Sequence, residues 1–431
     1  MSSSRSQGVL TTDPAEPLTP DLMDHLATID DPRHPRGRRY PLTALLALSV
    51  CALTTTGHNT TTAITEWAHN APPPILLRLG LPVCPFTGRI HIPDERTLRE
   101  VLARLDPAQL ARAGLATLDT RTGPPPTPHS AARTPGGAPE REHRRSHRTR
   151  QCQMPPPRLR HTAYAVDGKT QRGARPRKGR ASISMSLHAA RHHDAAVAAC
   201  TQLGNKKGET SAFTALLDQL HDTELLGAII TADALHTVAD HATYLLERGA
   251  HYLIYVKGNR PRLHSQLSTL PWSQIPVAHS QGPTHAHGRE EHRSVKVTAV
   301  TGLAFPGARQ VVRIERHRRE HGKAQGSREV VFAVTDLDAH QVSPAELAAH
   351  ARGHWTVENR VHYVRDVTFN EDARRTRTGA APVVLGCLTD IVRQALSAAG
   401  WKNTQSGRRA HTGKDKVLDL HGIRRTRPVW I

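Results

Sequence analysis

The chain has 431 residues, 37% of them hydrophobic, and its 58 Lys and Arg against 38 Asp and Glu give a formal charge of +20. This length suffices for two or three domains with a substantial core. The large positive excess predicts a polyanionic partner, with nucleic acid the foremost candidate. Aromatic residues make up only 4% of the chain, which argues against single-strand binding by repeated base stacking.

Membrane and disulfide-stabilised proteins are not favoured by the sequence. The longest apolar run, Leu42–Leu53, is far shorter than the roughly 20 residues that span a bilayer. The first residues, MSSSRSQGVL, lack the apolar middle of a signal peptide, so we expect a cytoplasmic protein. The five cysteines are widely spaced and form no CxxC pair, which predicts neither a disulfide framework nor a thiolate zinc site.

We expect residues 1–20 to be a disordered tail and residues 21–115 to form a separate all-helical N-terminal domain. Five helical patterns occupy this region, at 21–29, 41–53, 60–69, 74–79 and 94–105. The last follows Asp94, a suitable N-cap, and carries Arg96 and Arg99 outside its apolar face. We predict that both arginines contact DNA, although solvated arginines on an ordinary surface helix explain the pattern equally well.

The rest of the chain divides by composition. Residues 116–160 are rich in proline and arginine and are predicted to form a disordered linker. Residues 161–400 alternate strand and helix patterns, which predicts an α/β domain with a mixed sheet flanked by helices. Within it, residues 261–339 are mostly strand-like and are interpreted as a β-rich insertion. Residues 401–431 form a basic C-terminal tail.

Two aspartates follow apolar strand patterns, Asp167 after AYAV and Asp233 after AIITA. A carboxylate buried without a partner is costly, whereas ligands bind at the ends of strands in α/β sheets. Each residue also has an ordinary explanation, since an Asp before Gly is common in turns. The positions nevertheless predict that both carboxylates face a binding site.

A third carboxylate, Glu358, lies in RGHWTVENRVHYVRDVTF (352–369). A helical period places it on one face with Trp355, His362 and Arg365, and we expect the last two to face substrate phosphates. A helical Glu is commonly half of a surface ion pair instead. Three nearby carboxylates are rivals for the role, namely Asp366, Glu371 and Asp372.

A cluster formed by Asp167, Asp233 and Glu358 would repel itself unless divalent cations neutralised it. Oxygen ligands suit Mg²⁺ or Mn²⁺ rather than zinc. Two such ions, about 3.5–4 Å apart, would serve phosphodiester displacement by activating the attacking oxygen and stabilising the leaving one.

Several histidines are alternative candidates for a metal site. The segment HAHGREEH contains His285, His287 and His292, but without thiols or a sheltered scaffold an exposed basic loop is the simpler interpretation. His236 follows Asp233 closely and is interpreted either as a neighbour of the metals or as a structural imidazole.

Four segments carry a resemblance to a known family: AVDGKTQRG (165–173), TADALHT (231–237), HYLIYVKGNRPRL (251–263) and 352–382. They resemble the DDE transposases of bacterial insertion sequences, in the branch that includes the H-repeat-associated proteins. Residues 26–68 resemble the associated domain that precedes the catalytic core in that branch. The segment NKKGETSAF (205–213) matches the family pattern only loosely.

The resemblance implies that Asp167, Asp233 and Glu358 are the catalytic, metal-binding triad on a ribonuclease H-like core. It places the β-rich insertion between the second aspartate and the glutamate. In related transposases a tyrosine, an arginine and a lysine flank the glutamate at −7, −4 and +7. Those positions hold Ala351, His354 and Arg365.

Of these three, only the residue at +7 remains basic, so the predicted phosphate contact is assigned chiefly to Arg365. Lys169 and Lys257, which lie in the matching segments, complete the predicted DNA contacts.

The implied function is that of an insertion-sequence transposase that acts on double-stranded DNA as a homodimer or larger assembly. It would bind terminal inverted repeats, cleave them with two Mg²⁺ or Mn²⁺ ions, and join the freed 3′-hydroxyl to target DNA. Two alternatives remain open: a nuclease with the same core that does not join strands, and a catalytically inactive DNA-binding remnant.

Overall fold

The computed structural model describes residues 20–122, 159–174, 185–204, 208–286, 288–323, 325–424 and 429–430. The predicted tail up to residue 19 and the linker from 123 to 158 lie outside the described residues. No helix among the described residues is long and apolar enough to cross a membrane.

The N-terminal region is helical, as predicted. Its helices are α1 (Leu22–Leu26), α2 (Leu42–Thr54), α3 (Thr61–His69), α4 (Pro73–Arg78), α5 (Glu95–Leu102) and α6 (Pro107–Thr122). The capping prediction for α5 is confirmed, because the Asp94 Oδ1 accepts the Thr97 N–H at 2.8 Å. Helix α6 runs to Thr122, so the first residues assigned to the linker are helical.

The central domain contains β2 (Ala163–Thr170), β3 (Met185–Arg191), β4 (Val197–Leu203), α7 (Phe213–Leu217), α8 (Asp222–Leu225), β5 (Ile229–Ala232), α9 (Ala239–Glu247), β6 (His251–Val256) and α10 (Pro261–Ser268). It continues with β7 (His279–Ala286), β8 (Arg289–Ala299), β9 (Gln310–Glu320), β10 (Ser327–Thr335), α11 (Pro344–Gly353), α12 (Tyr363–Phe369) and α13 (Ala381–Ala398). Helices α14 (Thr404–Ala410) and α15 (Lys414–Leu420) follow, and two short strands, β1 (Pro82–Val83) and β11 (Val429–Trp430), pair in parallel.

Within the described ranges, nine strands form one mixed sheet in the order β4-β3-β2-β5-β6-β10-β9-β8-β7. The pairs β2–β5 and β5–β6 are parallel, and the remaining pairs are antiparallel. The α/β prediction is therefore confirmed at this level. The strands of the predicted insertion do not stand apart, because β10 pairs with β6 and extends the same sheet.

Alternating residues of β2 face opposite sides of the sheet, as the pleat requires. Tyr164 and Val166 join a hydrophobic cluster with α7, α9 and α10, whereas Ala163 joins another with α11. Helices therefore cover both faces of the sheet where β2 and β5 lie.

The N-terminal helices do not have a hydrophobic core of their own. One cluster joins buried residues of α1, α2 and α5 to those of α13 and α15, among them Leu48, Leu388 and Leu418. The separate N-terminal domain stays a prediction, and its apolar faces are buried against helices from the far end of the chain.

Candidate active site

Asp167 and Asp233 occupy equivalent places on neighbouring strands. The parallel pairing of β2 with β5 ends at Val166 and Ala232, and the residue that follows each of them in the chain is an aspartate. Asp167 does not end its strand, because β2 continues through Thr170 in antiparallel pairing with β3. The sheet therefore brings the two carboxylates side by side at the edge where parallel strands end.

The Asp167 carboxyl lies in a strongly acidic environment. Burial, the neighbouring Asp233 carboxylate, and then Glu358 and Glu209 together raise the pKa of Asp167 to about 7. Both of the other predicted carboxylates, Asp233 and Glu358, thus lie close enough to Asp167 to raise its pKa. Asp233 also caps the short turn after β5, where its Oδ1 accepts the Leu235 N–H at 2.9 Å.

Glu358 lies in a π-helical segment, Val357–His362, between α11 and α12. Trp355 and Glu358 are exposed, whereas His362 and Arg365 are buried. The prediction that all four share one face is therefore wrong. A π turn has i→i+5 hydrogen bonds, so later residues are rotated around the axis relative to an α-helix. Such segments are frequent at functional sites.

The three rival carboxylates are already paired with cations. Asp366 accepts two hydrogen bonds from the Lys169 Nζ, at 2.7 and 2.8 Å, and Asp372 lies 3.6 Å from the same nitrogen. Glu371 pairs with Arg365. These contacts favour Glu358 over its rivals for a role at the site.

A fourth carboxylate, Glu209, was not identified in the sequence. Its Oε1 is 2.5 Å from where a Cβ on Gly168 would lie, so the side chain packs against the backbone beside Asp167. Glu209 is buried, and its Oε1 lies 3.8 Å from the His236 Nε2. Its segment matches the family pattern poorly, and only the path of the chain after β4 brings it to the site.

The carboxylates fit divalent cations by their chemistry. Asp167, Asp233, Glu358 and Glu209 offer only oxygen donors, and their mutual repulsion is what a bound Mg²⁺ or Mn²⁺ would relieve. As the side chains stand, no group of three His, Cys, Asp or Glu in the described part of the chain is arranged to hold a metal ion.

Two predicted DNA contacts are placed differently from expectation. The Arg365 side chain is fully buried and donates two hydrogen bonds of 2.6 Å to Glu371. Lys169 is also buried and is held by Asp366. Neither cation reaches the surface, so neither contacts phosphates in this arrangement. A basic residue seven positions after the glutamate does not by itself indicate exposure.

Lys257 lies at the mouth of a cavity of about 110 Å³ beside Asp233. The cavity lies between α11 and the strands β7–β10, and its apolar wall includes the half-exposed Trp355. Its basic lining residues are Lys257, His279, Arg293, Arg316, Arg352 and His354. Asp233 and Glu329 also line the cavity, and Glu329 is paired with Arg316, so the exposed Lys257 and Arg352 supply its available positive charge.

Arg96 and Arg99 are exposed on α5, where each forms an i,i+4 ion pair, with Glu100 and Glu95 respectively. A DNA contact and an ordinary solvated surface position both stay predictions for these two arginines.

Two histidines of the segment HAHGREEH, His285 and His292, lie on strands β7 and β8. His292 lies on β8 and its Nε2 is 2.9 Å from the Ser280 Oγ, while His287 is outside the described residues. The expected exposed loop is therefore mostly a pair of strands, and the metal-site alternative for HAHGREEH stays a prediction.

Two family models match the chain. The DDE_Tnp_1-associated model matches residues 23–116, and the Transposase DDE domain model matches residues 158–385, more than half of the chain.

Several known proteins are similar. "Putative transposase YncI" of Escherichia coli O157:H7 is 31% identical over 241 residues, which cover 52% of this chain and 58% of that protein. "H repeat-associated putative transposase YhhI" of Escherichia coli (strain K12) is 27% identical over 249 residues, 54% of this chain and 63% of that protein. The chain thus spans about three fifths of the length of these relatives.

A solved structure, of a piggyBac transposase synaptic complex with hairpin DNA, aligns with a TM-score of 0.37 and 10% identity over 93% of this chain and 76% of that chain. That similarity is too low to establish a common fold. The family assignment rests instead on the domain match across β2–β10 and the helices that follow. By that match the chain belongs to the DDE transposase family, with H-repeat-associated proteins among its relatives.

Proposed function

We propose that the protein is a DNA transposase that binds the terminal inverted repeats of its element, cleaves the DNA there and joins the freed 3′-hydroxyl to a target. One observation carries the proposal: in a chain of this family, Asp167 and Asp233 follow paired residues of neighbouring strands, and Asp233 and Glu358, 66 and 191 residues further along, both raise the pKa of Asp167. Such convergence of acidic groups is difficult to explain without bound cations.

Asp167, Asp233 and Glu358 are the proposed metal-binding residues. Two divalent cations held there would activate the attacking oxygen and stabilise the leaving oxygen of the phosphodiester. The exposed position of Glu358 on the π segment leaves its carboxylate free to turn toward Asp167 and Asp233. We further propose that strands β4-β3-β2-β5-β6 form the ribonuclease H-like core that the resemblance implies, with β7–β10 as its insertion.

The proposed DNA path runs past the basic cavity beside Asp233. Lys257 and Arg352 are exposed there, and the Arg352 Nη1 is held by the Gln281 side chain at 2.9 Å. The formal charge of +20 supports a polyanionic substrate. Because two element ends must be brought together, we propose a homodimer or larger assembly on DNA.

The test uses purified protein, labelled element ends and a supercoiled target plasmid with Mg²⁺. Inverted repeats in the DNA flanking the gene supply the end sequences. We expect cleavage and strand transfer by the parent and their loss in Asp167→Asn, with end binding retained. Asp240→Asn, at an exposed helix position, is the matched control.

Each outcome separates the proposal from its alternatives. Cleavage without joined products would identify a nuclease, and end binding without cleavage by the parent would identify an inactive remnant. If Asp167→Asn cleaves as well as the parent, the site assignment is wrong.

A further inference from the structure

A row of buried polar side chains leads from the protein interior to Asp167. The Arg365 Nη1 lies 3.1 Å from the His188 Nε2, and the His188 Nδ1 lies 3.0 Å from the His362 Nε2. The His362 Nδ1 is 3.5 Å from the Asp167 Oδ2. Arg365, His188 and His362 are all buried.

The chemistry of Arg365 determines the direction of hydrogen-bond donation along this row. A guanidinium can only donate hydrogen bonds and keeps its proton in proteins. The His188 Nε2 must therefore accept, so the proton of that neutral ring is on Nδ1. That N–H donates to the His362 Nε2, which leaves the second ring also protonated on Nδ1. The His362 N–H then points at the Asp167 carboxylate.

If the hydrogen bonds of this row ran in the opposite direction, one contact would place two donors against each other. If a protonated Asp167 donated to the His362 Nδ1, then both imidazoles would carry their protons on Nε2. The His188 N–H would then face an N–H of Arg365 at 3.1 Å. Two buried donors facing each other have no hydrogen bond to offset their desolvation.

Arg365 is itself held firmly in place. Its Nε and Nη2 donate to the Glu371 carboxylate, and its Nη1 also lies 3.4 Å from Asp390. Gly386 on α13 leaves the space for the guanidinium, since a Cβ at that position would overlap it. The donor that orients the row is therefore fixed by packing and charge.

We propose that Arg365, through His188 and His362, positions the carboxylate of Asp167 for cation binding. The inference rests on the proposed function, and it makes the two histidines positioning residues rather than catalytic ones. Ligating carboxylates are commonly held by such outer hydrogen bonds, and loss of an outer partner typically weakens metal binding by about 10–100-fold.

The first test measures the ring tautomers by ¹⁵N NMR of histidine-labelled protein without metal. Signals of His188 and His362 are assigned by their disappearance in His188→Asn and His362→Asn. We expect both rings to be neutral with the proton on Nδ1. A proton on Nε2 of either ring would overturn the proposal. The tautomer measurement does not depend on transposition, so its failure is distinguishable from failure of the proposed function.

The second test compares two variants at one position by the binding of free Mn²⁺, followed by electron paramagnetic resonance. In His362→Asn the amide N–H can take the place of the Nδ1–H toward Asp167, whereas the amide of His362→Gln reaches toward His188 instead. Positioning predicts affinity within about 3-fold of the parent for His362→Asn and at least about 10-fold weaker binding for His362→Gln.

A purely structural role predicts equal affinities in the two variants and would overturn the proposal. Thermal unfolding of both variants shows whether they are folded. His421→Asn changes another buried imidazole, one paired with Thr54 in the helical region, and we expect it to leave Mn²⁺ affinity unchanged.

Discussion

The guanidinium of Arg365 and the carboxylate of Glu371 form two parallel hydrogen bonds of 2.6 Å in the protein interior. Both side chains are buried, and Asp390 and Arg393 extend the pair into a network. A buried pair of this kind is costly to break from one side, because the remaining charge loses its partner. Arg365 is therefore held inside the protein and is not available to contact DNA.

Acidic pH should lower the free energy of unfolding, because it protonates Glu371. The Arg365 guanidinium lowers the pKa of Glu371 to about 2, although burial opposes the shift. A carboxyl whose folded pKa lies below its unfolded value adds stability above about pH 4.5, and that stability is lost as the pH falls toward 2.

Glu371→Gln should thus cost about 3–5 kcal/mol at pH 7, and its difference from the parent should shrink below about pH 4.5. Urea unfolding at a series of pH values measures both quantities. A difference that stays constant down to pH 3 would contradict the prediction. Glu247→Gln, at an exposed position, serves as the control.

Gly386→Ala should destabilise the protein by at least about 2 kcal/mol, because the added methyl overlaps the Arg365 guanidinium and neither can move freely in a packed interior. Gly37→Ala is the matched control, since a Cβ there meets no atom within 4 Å. We expect its change to stay within about 0.5 kcal/mol. Equal unfolding midpoints for the two variants would mean that Arg365 is not held as described.

Asp167→Asn should stabilise the metal-free protein at alkaline pH. The folded pKa of Asp167 is raised to about 7 by burial and by Asp233, so the stability from its protonated form is present below about pH 4 and lost as the pH rises through 7. Each pKa unit corresponds to about 1.4 kcal/mol. Because the carboxyl is 26% exposed, we expect a gain of about 1–3 kcal/mol at pH 8.

The same variant should lose any stabilisation by Mg²⁺ or Mn²⁺, because a bound ion needs the Asp167 charge. Thermal unfolding with and without the ions, at pH 6 and pH 8, checks both effects. Retained stabilisation by the ions in Asp167→Asn would argue against this carboxylate as a ligand.

Lys257→Gln should weaken DNA binding nearly equally for all sequences and reduce the slope of log K against log salt by about 1. The reason is the exposed position of Lys257 at the basic cavity. Lys169→Gln should leave the slope unchanged and lower stability instead, since its Nζ is bound to Asp366. Fluorescence anisotropy at several salt concentrations distinguishes the two. Equal slopes for Lys257→Gln and the parent would remove this lysine from the DNA surface.

Local sequence patterns were sufficient to locate most elements. The helix after Asp94 and the strands around AYAV and AIITA lie where periodicity and capping predict them. Hydrophobic period and cap chemistry act between residues close in sequence, so they can be recognised without the fold. The π segment could not be predicted in this way, because its extra residue per turn depends on the surrounding packing.

By itself, the sequence determined the basic charge, the family motifs and the three acidic residues Asp167, Asp233 and Glu358. Only the tertiary structure decided that Glu209 lies beside Asp167, that Arg365 and Lys169 are buried, and that the predicted insertion continues the main sheet. The physical reason is that burial and ion pairing depend on contacts between residues far apart in the chain. Those contacts determine whether a basic side chain binds a phosphate or pairs with a buried carboxylate.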